Sequence, residues 1–291
     1  MASCCLVFWA YVYDNLSFVF KGREKVFVNI KTEMNMKLLC LNTWSGRRRK
    51  ELLSFLETYK DSVDVFCFQE VYNRSPKNLR PIYDKEPDLR LLDSLVSVLG
   101  DTHWHIFRSS VSSVWGLAVF VKKDIPVFHE DECFIYKEKG YVPDGDIACG
   151  ARNMQMISLE YKKTSVHIFH LHGLWDERGK GDTDERLKQS QRIVEYVNLF
   201  EGPRILCGDF NMLPNTKSMR LIEEKLHMRN LITENGIMST RTVLYKKSDK
   251  YADYILVGEG IAVEDMAVLT DVVSDHAPLY LDIDFVSRAK L

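Results

Sequence analysis

The chain has 291 residues, 46% hydrophobic and 27% charged, the balance of a water-soluble globular protein with a full-sized core. Its formal charge of −2 argues against a strong nonspecific polyanion binder, which is normally basic, but leaves room for a local basic face. Seven cysteines without a C-x-x-C pair argue against a zinc site of that type. Cys40, Cys67 and Cys207, inside apolar runs, read as small buried hydrophobes of a reducing, cytoplasmic setting.

Residues 1–35 read as an N-terminal extension, and residues 36–291 as one domain. The apolar run 6–13 is interrupted after Tyr13 by Asp14, lacks a preceding basic region and is too short to span a bilayer. A signal peptide or anchor is therefore not expected, and an early start codon is an alternative reading of the extension. No repeat or low-complexity linker follows Met36, and a monomer is expected.

In chain order, 37–41 reads as a short strand, and Leu52, Leu53, Leu56 and Tyr59 carry helical spacing. A second strand, 63–68, ends at Gln69-Glu70. Leu91, Leu92, Leu95, Val96 and Leu99 form a helical stripe stopped by Gly100. The stretch 103–171 is β in character, with strands at 103–107, 116–121, 153–160 and 165–171. Helical spacing returns at 187–200, where Asp or Thr in 182–184 caps the start and Arg186 is placed to pair with a carboxylate. Strand 205–207 leads into Gly208-Asp209-Phe210-Asn211, and Asn215 is expected to cap a further helix. The last strands are 254–257 and 279–285. So many strands interleaved with helices exceed one parallel sheet and suggest two sheets covered by helices, an α+β sandwich.

Polar residues collect where these strands stop. Asn42, Glu70, His172 and Asp209 sit at or just past strand ends; Asp253 begins a strand, and Asp275-His276 precedes one. Backbone ladders end at such rims and expose polar groups, a common place for a catalytic site. The set offers oxygen ligands and imidazoles with no cysteine set, which suits Mg²⁺ or Mn²⁺.

The ordered pieces Leu41-Asn42-Thr43-Trp44, Phe68-Gln69-Glu70, His172-Gly173-Leu174-Trp175, Gly208-Asp209-Phe210-Asn211, Asp253-Tyr254-Ile255-Leu256 and Ser274-Asp275-His276-Ala277-Pro278-Leu279 resemble the endonuclease/exonuclease/phosphatase superfamily. The resemblance implies the deoxyribonuclease I-like fold, a four-layer α/β/β/α sandwich, and divalent-metal hydrolysis of a phosphoester. It implies Glu70, Asn42 and Asp275 at the metal, and Asp209 orienting or deprotonating water. Asn211 and His276 would touch phosphate, Asp253 would hold His276, and His172 would serve as the second imidazole.

His170 competes with His172, because residues two apart on a strand share a face. Arg47-Arg48-Arg49-Lys50 is expected either to flank the rim and attract an anion or to be a solvated helical turn. Arg152 is expected either to reach phosphate or to form an ion pair, and Trp115-Gly116 to pack. Two other function classes are a non-catalytic binding protein that keeps the fold and a zinc hydrolase built on His167, His170 and His172. Near-neutral charge favours a small phosphodiester or a short nucleic-acid end over long duplex DNA.

Overall fold

The computed structural model describes residues 35–73, 86–100, 103–112, 114–143 and 149–285, together with the backbone of three short strands before residue 29. Residues 6–11 of the apolar run lie outside the described residues. Residues 1–35 and 36–291 are two separate compact units. The first holds an antiparallel sheet of β1 (Val12–Tyr13), β2 (Leu16–Lys21) and β3 (Glu24–Val28).

The second unit begins with β4 (Met36–Asn42), α1 (Arg49–Tyr59), β5 (Val65–Tyr72), α2 (Leu91–Leu99), β6 (Trp104–Ser110) and β7 (Trp115–Lys122). It continues through β8 (Val127–Tyr136), β9 (Arg152–Tyr161), β10 (Thr164–His172), α3 (Asp184–Val197), β11 (Arg204–Asp209) and α4 (Lys217–Leu226). The last elements are β12 (Arg229–Asn230), α5 (Leu231–Glu234), β13 (Asp253–Val257), β14 (Ile261–Val268) and β15 (Leu279–Phe285). They form two six-stranded sheets, ordered β14-β15-β4-β5-β7-β6 and β12-β13-β11-β10-β9-β8. Each is mixed: β4–β5 and β10–β11 are parallel, and the other pairs are antiparallel.

Alternation along β4 explains the layering. Leu38 and Cys40 join the inter-sheet core with Val65, Cys67 and Phe169, while Leu39 and Leu41 turn toward Leu52 and Leu56 of α1 and Leu95 of α2. A strand covered on both faces reads as a continuous apolar run rather than an alternating one. On the second sheet, α3 packs with Ile193 and Val197, and α4 with Met219 and Ile222. Burying each such side chain contributes roughly 1.5–3 kcal/mol. The result is the expected α/β/β/α sandwich, with Cys40, Cys67 and Cys207 free and buried.

Several local expectations shift. Thr216, not Asn215, caps α4, accepting from Met219 N at 3.2 Å. Among the described residues Arg186 binds no carboxylate; its guanidinium donates to the carbonyls of Gly181 and Gly179 at 2.6 and 2.7 Å. Strand β5 does not stop at Glu70 but runs on to Tyr72. Among the described residues, no helix is long and apolar enough to cross a membrane.

Candidate active site

Three neighbouring strands of the second sheet place three polar groups in one row. His172 ending β10 is in register with Asp209 ending β11, which is in register with Asp253 opening β13. Gly208 makes the row possible: a Cβ there would lie 2.0 Å from Leu171 O, and its φ is +141°. Beyond the strand, Asn211 adopts φ 52° so that its N–H reaches Asp209 Oδ1 at 2.8 Å. Its side-chain amide donates to Gly173 O at 3.3 Å. Gly173 is the matching close approach, since a Cβ would meet Phe210 O at 2.4 Å.

The first sheet supplies the opposite wall. Glu70 is the extra residue of a β-bulge between Gln69 and Val71, with φ 62°. A bulge breaks the in–out alternation and re-aims one side chain, which here lines the cavity. Glu70 Oε1 accepts from Asn42 Nδ2 at 3.2 Å, and Oε2 from the Ser45 hydroxyl at 2.8 Å. The turn Trp44–Gly46 is fixed from below: Trp44 N donates to Asn42 Oδ1 at 3.0 Å, and Thr43 Oγ1 to Gln69 O at 2.8 Å. Asn42 also bridges the sheets, donating to Asp209 Oδ2 at 3.0 Å.

Asp275 and His276 enter from the turn before β15. His276 Nδ1 lies 2.8 Å from both Asp253 oxygens, and its Nε2 faces Asp209 Oδ2 at 3.6 Å and Asp275 Oδ1 at 3.9 Å. His172 Nε2 approaches Asp209 Oδ2 at 3.7 Å, and its ring lies beside Trp115 with centroids 5.4 Å apart. Glu70, Trp115, His172, Asp209, Asp275 and His276 share a cavity of about 260 Å³, also walled by Trp44, Trp175 and Tyr245.

The electrostatics separate the two imidazoles. Burial pushes His172 down to about 3, outweighing Asp209, so it is neutral at ordinary pH. Burial and Arg241 act against charge on His276, but the Asp253 carboxylate, helped by Asp209, outweighs them and raises the imidazolium pKa. For Asp209, burial favours the neutral acid, yet His276, His172, Lys180 and Arg241 together hold it well below the usual carboxylate range. Burial raises Glu70 in spite of His276, Ser45 and Asn42. Lys180 is lowered to about 8, chiefly by burial.

The sequence profile described as the Endonuclease/Exonuclease/phosphatase family matches residues 39–276. The chain belongs to this family. No curated protein sequence matches it. Among solved structures, a Bacteroides thetaiotaomicron mannosyl-6-phosphatase superposes with TM-score 0.65 at 16% identity, covering 86% of this chain and 100% of that one. A humanized D. rerio TDP2 carrying 14 mutations gives 0.63 at 13%, covering 86% and 99%. The human Nocturnin catalytic domain with bound sulfate gives 0.61 at 17%, covering 87% and 95%. At these identities the neighbours establish the fold.

Asn42, Glu70, His172, Asp209, Asn211, Asp253, Asp275 and His276 come together in the candidate site; Arg152 lines the cavity with Glu70, His172, Asp209, Asn211, Asp275 and His276, while Asn42 and Asp253 hold these from behind. Arg152 is held by carbonyls, donating to Gly173 O at 2.8 Å and Ala151 O at 3.0 Å, and its guanidinium lies 5.4 Å from the Trp115 centroid. Arg47 and Arg48 do not line the cavity. Arg47 sits 5.6 Å from the Trp44 centroid, and Arg48 pairs with Glu51 along the helix.

The three histidines of the zinc reading do not converge. His167 contacts Ser158 and the Glu201 carbonyl, whereas His170 is enclosed between Gln69 and Gln155. Asp209, Asp253 and His276 do have ligand atoms within 4.8 Å of one another. The Nδ1 contact to Asp253 explains that closeness as a carboxylate–imidazole pair. Lys180, Arg241, Tyr245 and Lys247 also line the cavity. They come from loops, where no periodicity marks them.

Proposed function

We propose that the protein is an Mg²⁺- or Mn²⁺-dependent hydrolase of phosphoester bonds. The carrying observation is that both sheets deliver their polar rims into one cavity, joined by the Asn42–Asp209 contact. The oxygen donor set fits a hard divalent cation. Among the described residues Asp275 Oδ1 is buried without a hydrogen-bond partner, and burial raises Glu70 in spite of His276, so a further positive charge would favour both carboxylates. Glu70 and Asp275 would hold the ion; Asn42, whose Oδ1 accepts from Trp44 N while Nδ2 donates to Glu70 and Asp209, would orient those carboxylates rather than ligate it. Bound there, it would neutralise phosphoryl charge and favour ionisation of water.

The chain's own groups divide the remaining work. Asp209 is too acidic to be a strong proton acceptor, so its main role is to orient the attacking water through an accepted hydrogen bond. The Asn211 N–H on Oδ1 fixes that carboxylate. His276, kept cationic by Asp253, donates from Nε2 to a phosphoryl oxygen as negative charge develops. His172 is neutral and serves as a hydrogen-bond partner near the leaving group. Arg152 supplies a fixed positive charge at the wall.

The mannosyl-6-phosphatase neighbour, and a D. rerio TDP2 complexed with single strand DNA product, support a phosphoester as substrate class. A panel of plasmid, single-stranded DNA, RNA, inositol phosphates, sphingomyelin and p-nitrophenyl esters, each with Mg²⁺ and with EDTA, tests the reading. Metal-dependent release of product from at least one ester is expected. Absence of turnover throughout would favour a binding protein.

A further inference from the structure

The segment between α5 and β13 carries a cation that no sequence motif marks. Arg241 lines the cavity with its side chain only 5% exposed. Its backbone is pinned beside His276: Thr242 N donates to Asp275 O at 3.1 Å, and Ala277 N to Thr240 O at 3.0 Å. The Thr242 hydroxyl adds a bond to Ser274 O at 2.6 Å. The guanidinium lies 4.1 Å from the Tyr245 ring centroid, and Nη1 stands 3.5 Å from Asp275 Oδ2. That distance is longer than a charge-assisted hydrogen bond, and Nε has no partner among the described residues. Arginine does not shed its proton, so open donors on a buried guanidinium are costly until an acceptor arrives.

A second cation shares the same ring. Lys180 Nζ lies 5.7 Å from the Tyr245 centroid, is buried, and donates to Tyr251 O at 2.9 Å. Around the cavity, the basic side chains Arg152, Lys180, Arg241 and Lys247 face the carboxylates Glu70, Asp209 and Asp275. With a divalent ion on Glu70 and Asp275, Asp209 remains opposite Lys180 and Arg241, and a substrate phosphate adds the further negative charge that these two cations can match. An internal diester brings one negative charge per phosphate, whereas a terminal phosphomonoester brings about two near neutrality.

We propose that Arg241, with Lys180 beside it on the Tyr245 ring, clamps the outer oxygens of a terminal phosphate and so selects a phosphomonoester over an internal diester. The inference rests on the hydrolase reading and names its substrate class. The planar fork of Arg241 addresses two oxygens of one phosphoryl group, and Lys180 supplies a compact charge. In a diester, one of those oxygens carries carbon, loses its charge and brings an alkyl or aryl group against Tyr245. Hydrolysis of the monoester transfers the phosphoryl group to water and releases the alcohol and inorganic phosphate.

The test compares p-nitrophenyl phosphate with bis-p-nitrophenyl phosphate, using the full chain with Mg²⁺. The wild type is expected to have the higher kcat/KM on the monoester. Arg241→Gln should lose roughly tenfold or more on the monoester and less on the diester, and Arg241→Lys should recover part of the difference. Lys180→Gln provides a second variant with the same direction of change. A wild-type preference for the diester, or an equal loss on both esters, overturns the clamp. If the wild type cleaves neither ester, the hydrolase reading fails instead, and calorimetric binding of inorganic phosphate decides on the clamp alone. Weaker binding by roughly tenfold in Arg241→Gln upholds it, and equal affinity overturns it.

Discussion

Asn42 on one sheet donates to Asp209 on the other at 3.0 Å, so one side-chain amide spans the candidate site and also holds Glu70. The carboxylate proposed to orient water and the carboxylate proposed to face metal are thereby set against each other by how the two sheets pack. A change at either end should be felt at both.

Glu70→Gln tests the metal end. The substitution keeps the shape on the bulge but removes the charge that would attract a hard cation. Turnover is expected to fall while the Mg²⁺ concentration needed for half-maximal activity rises. Wild-type activity at limiting Mg²⁺ would move the metal away from Glu70.

Much of this site was legible in the sequence because strand ends expose polar groups in order along the chain. What stayed hidden follows from local physics. The strand break at Glu70 is a bulge, and an extra residue within a strand leaves no mark in composition. Strands β8 and β14 lie on sheet edges, where Glu130, Asp131 and Glu132, and likewise Glu264 and Asp265, replace apolar residues, so the apolar pattern fades. Arg241 and Lys180 reach the cavity through loop geometry alone. Arg47 and Arg48 look well placed by adjacency to Asn42, but the turn Trp44–Gly46 and the first turn of α1 direct them to Trp44 and Glu51.

Asp209→Asn addresses the water-orienting role. The amide keeps one oxygen for Asn211 N–H but presents a donor where the carboxylate accepts. Turnover should drop by ~10²–10⁴-fold with substrate affinity largely retained. Single-turnover rates within a few-fold of wild type would assign water orientation to another group.

Gly208→Ala should fail structurally before it fails chemically. The added Cβ would sit 2.0 Å from Leu171 O at a φ of +141°, with backbone on both sides of the clash. A loss of more than about 2 kcal/mol is expected in denaturant unfolding. Unchanged stability would show that β10 and β11 can separate locally without harm.

Removal of residues 1–35 should leave a folded and active enzyme, since every proposed site residue lies beyond Met36 and the two units are compact by themselves. Thermal unfolding and phosphoester turnover of the 36–291 chain check this. An insoluble or inactive product would make the extension part of the functional fold.

Asp253→Asn tests the charge on His276. The Asp253 carboxylate lies 2.8 Å from Nδ1 and raises the imidazolium pKa against the effect of burial. The raised value keeps His276 cationic as pH increases, so activity that needs the cation is present at low pH and lost as pH climbs through that value. Replacing Asp253 by its neutral isostere lowers the pKa, and the alkaline limb of the rate profile should move down. Activity should therefore fall more at about pH 8 than at about pH 6. An equal loss at every pH would mean that Asp253 only positions the ring. An unshifted profile with full activity would remove it from the mechanism altogether.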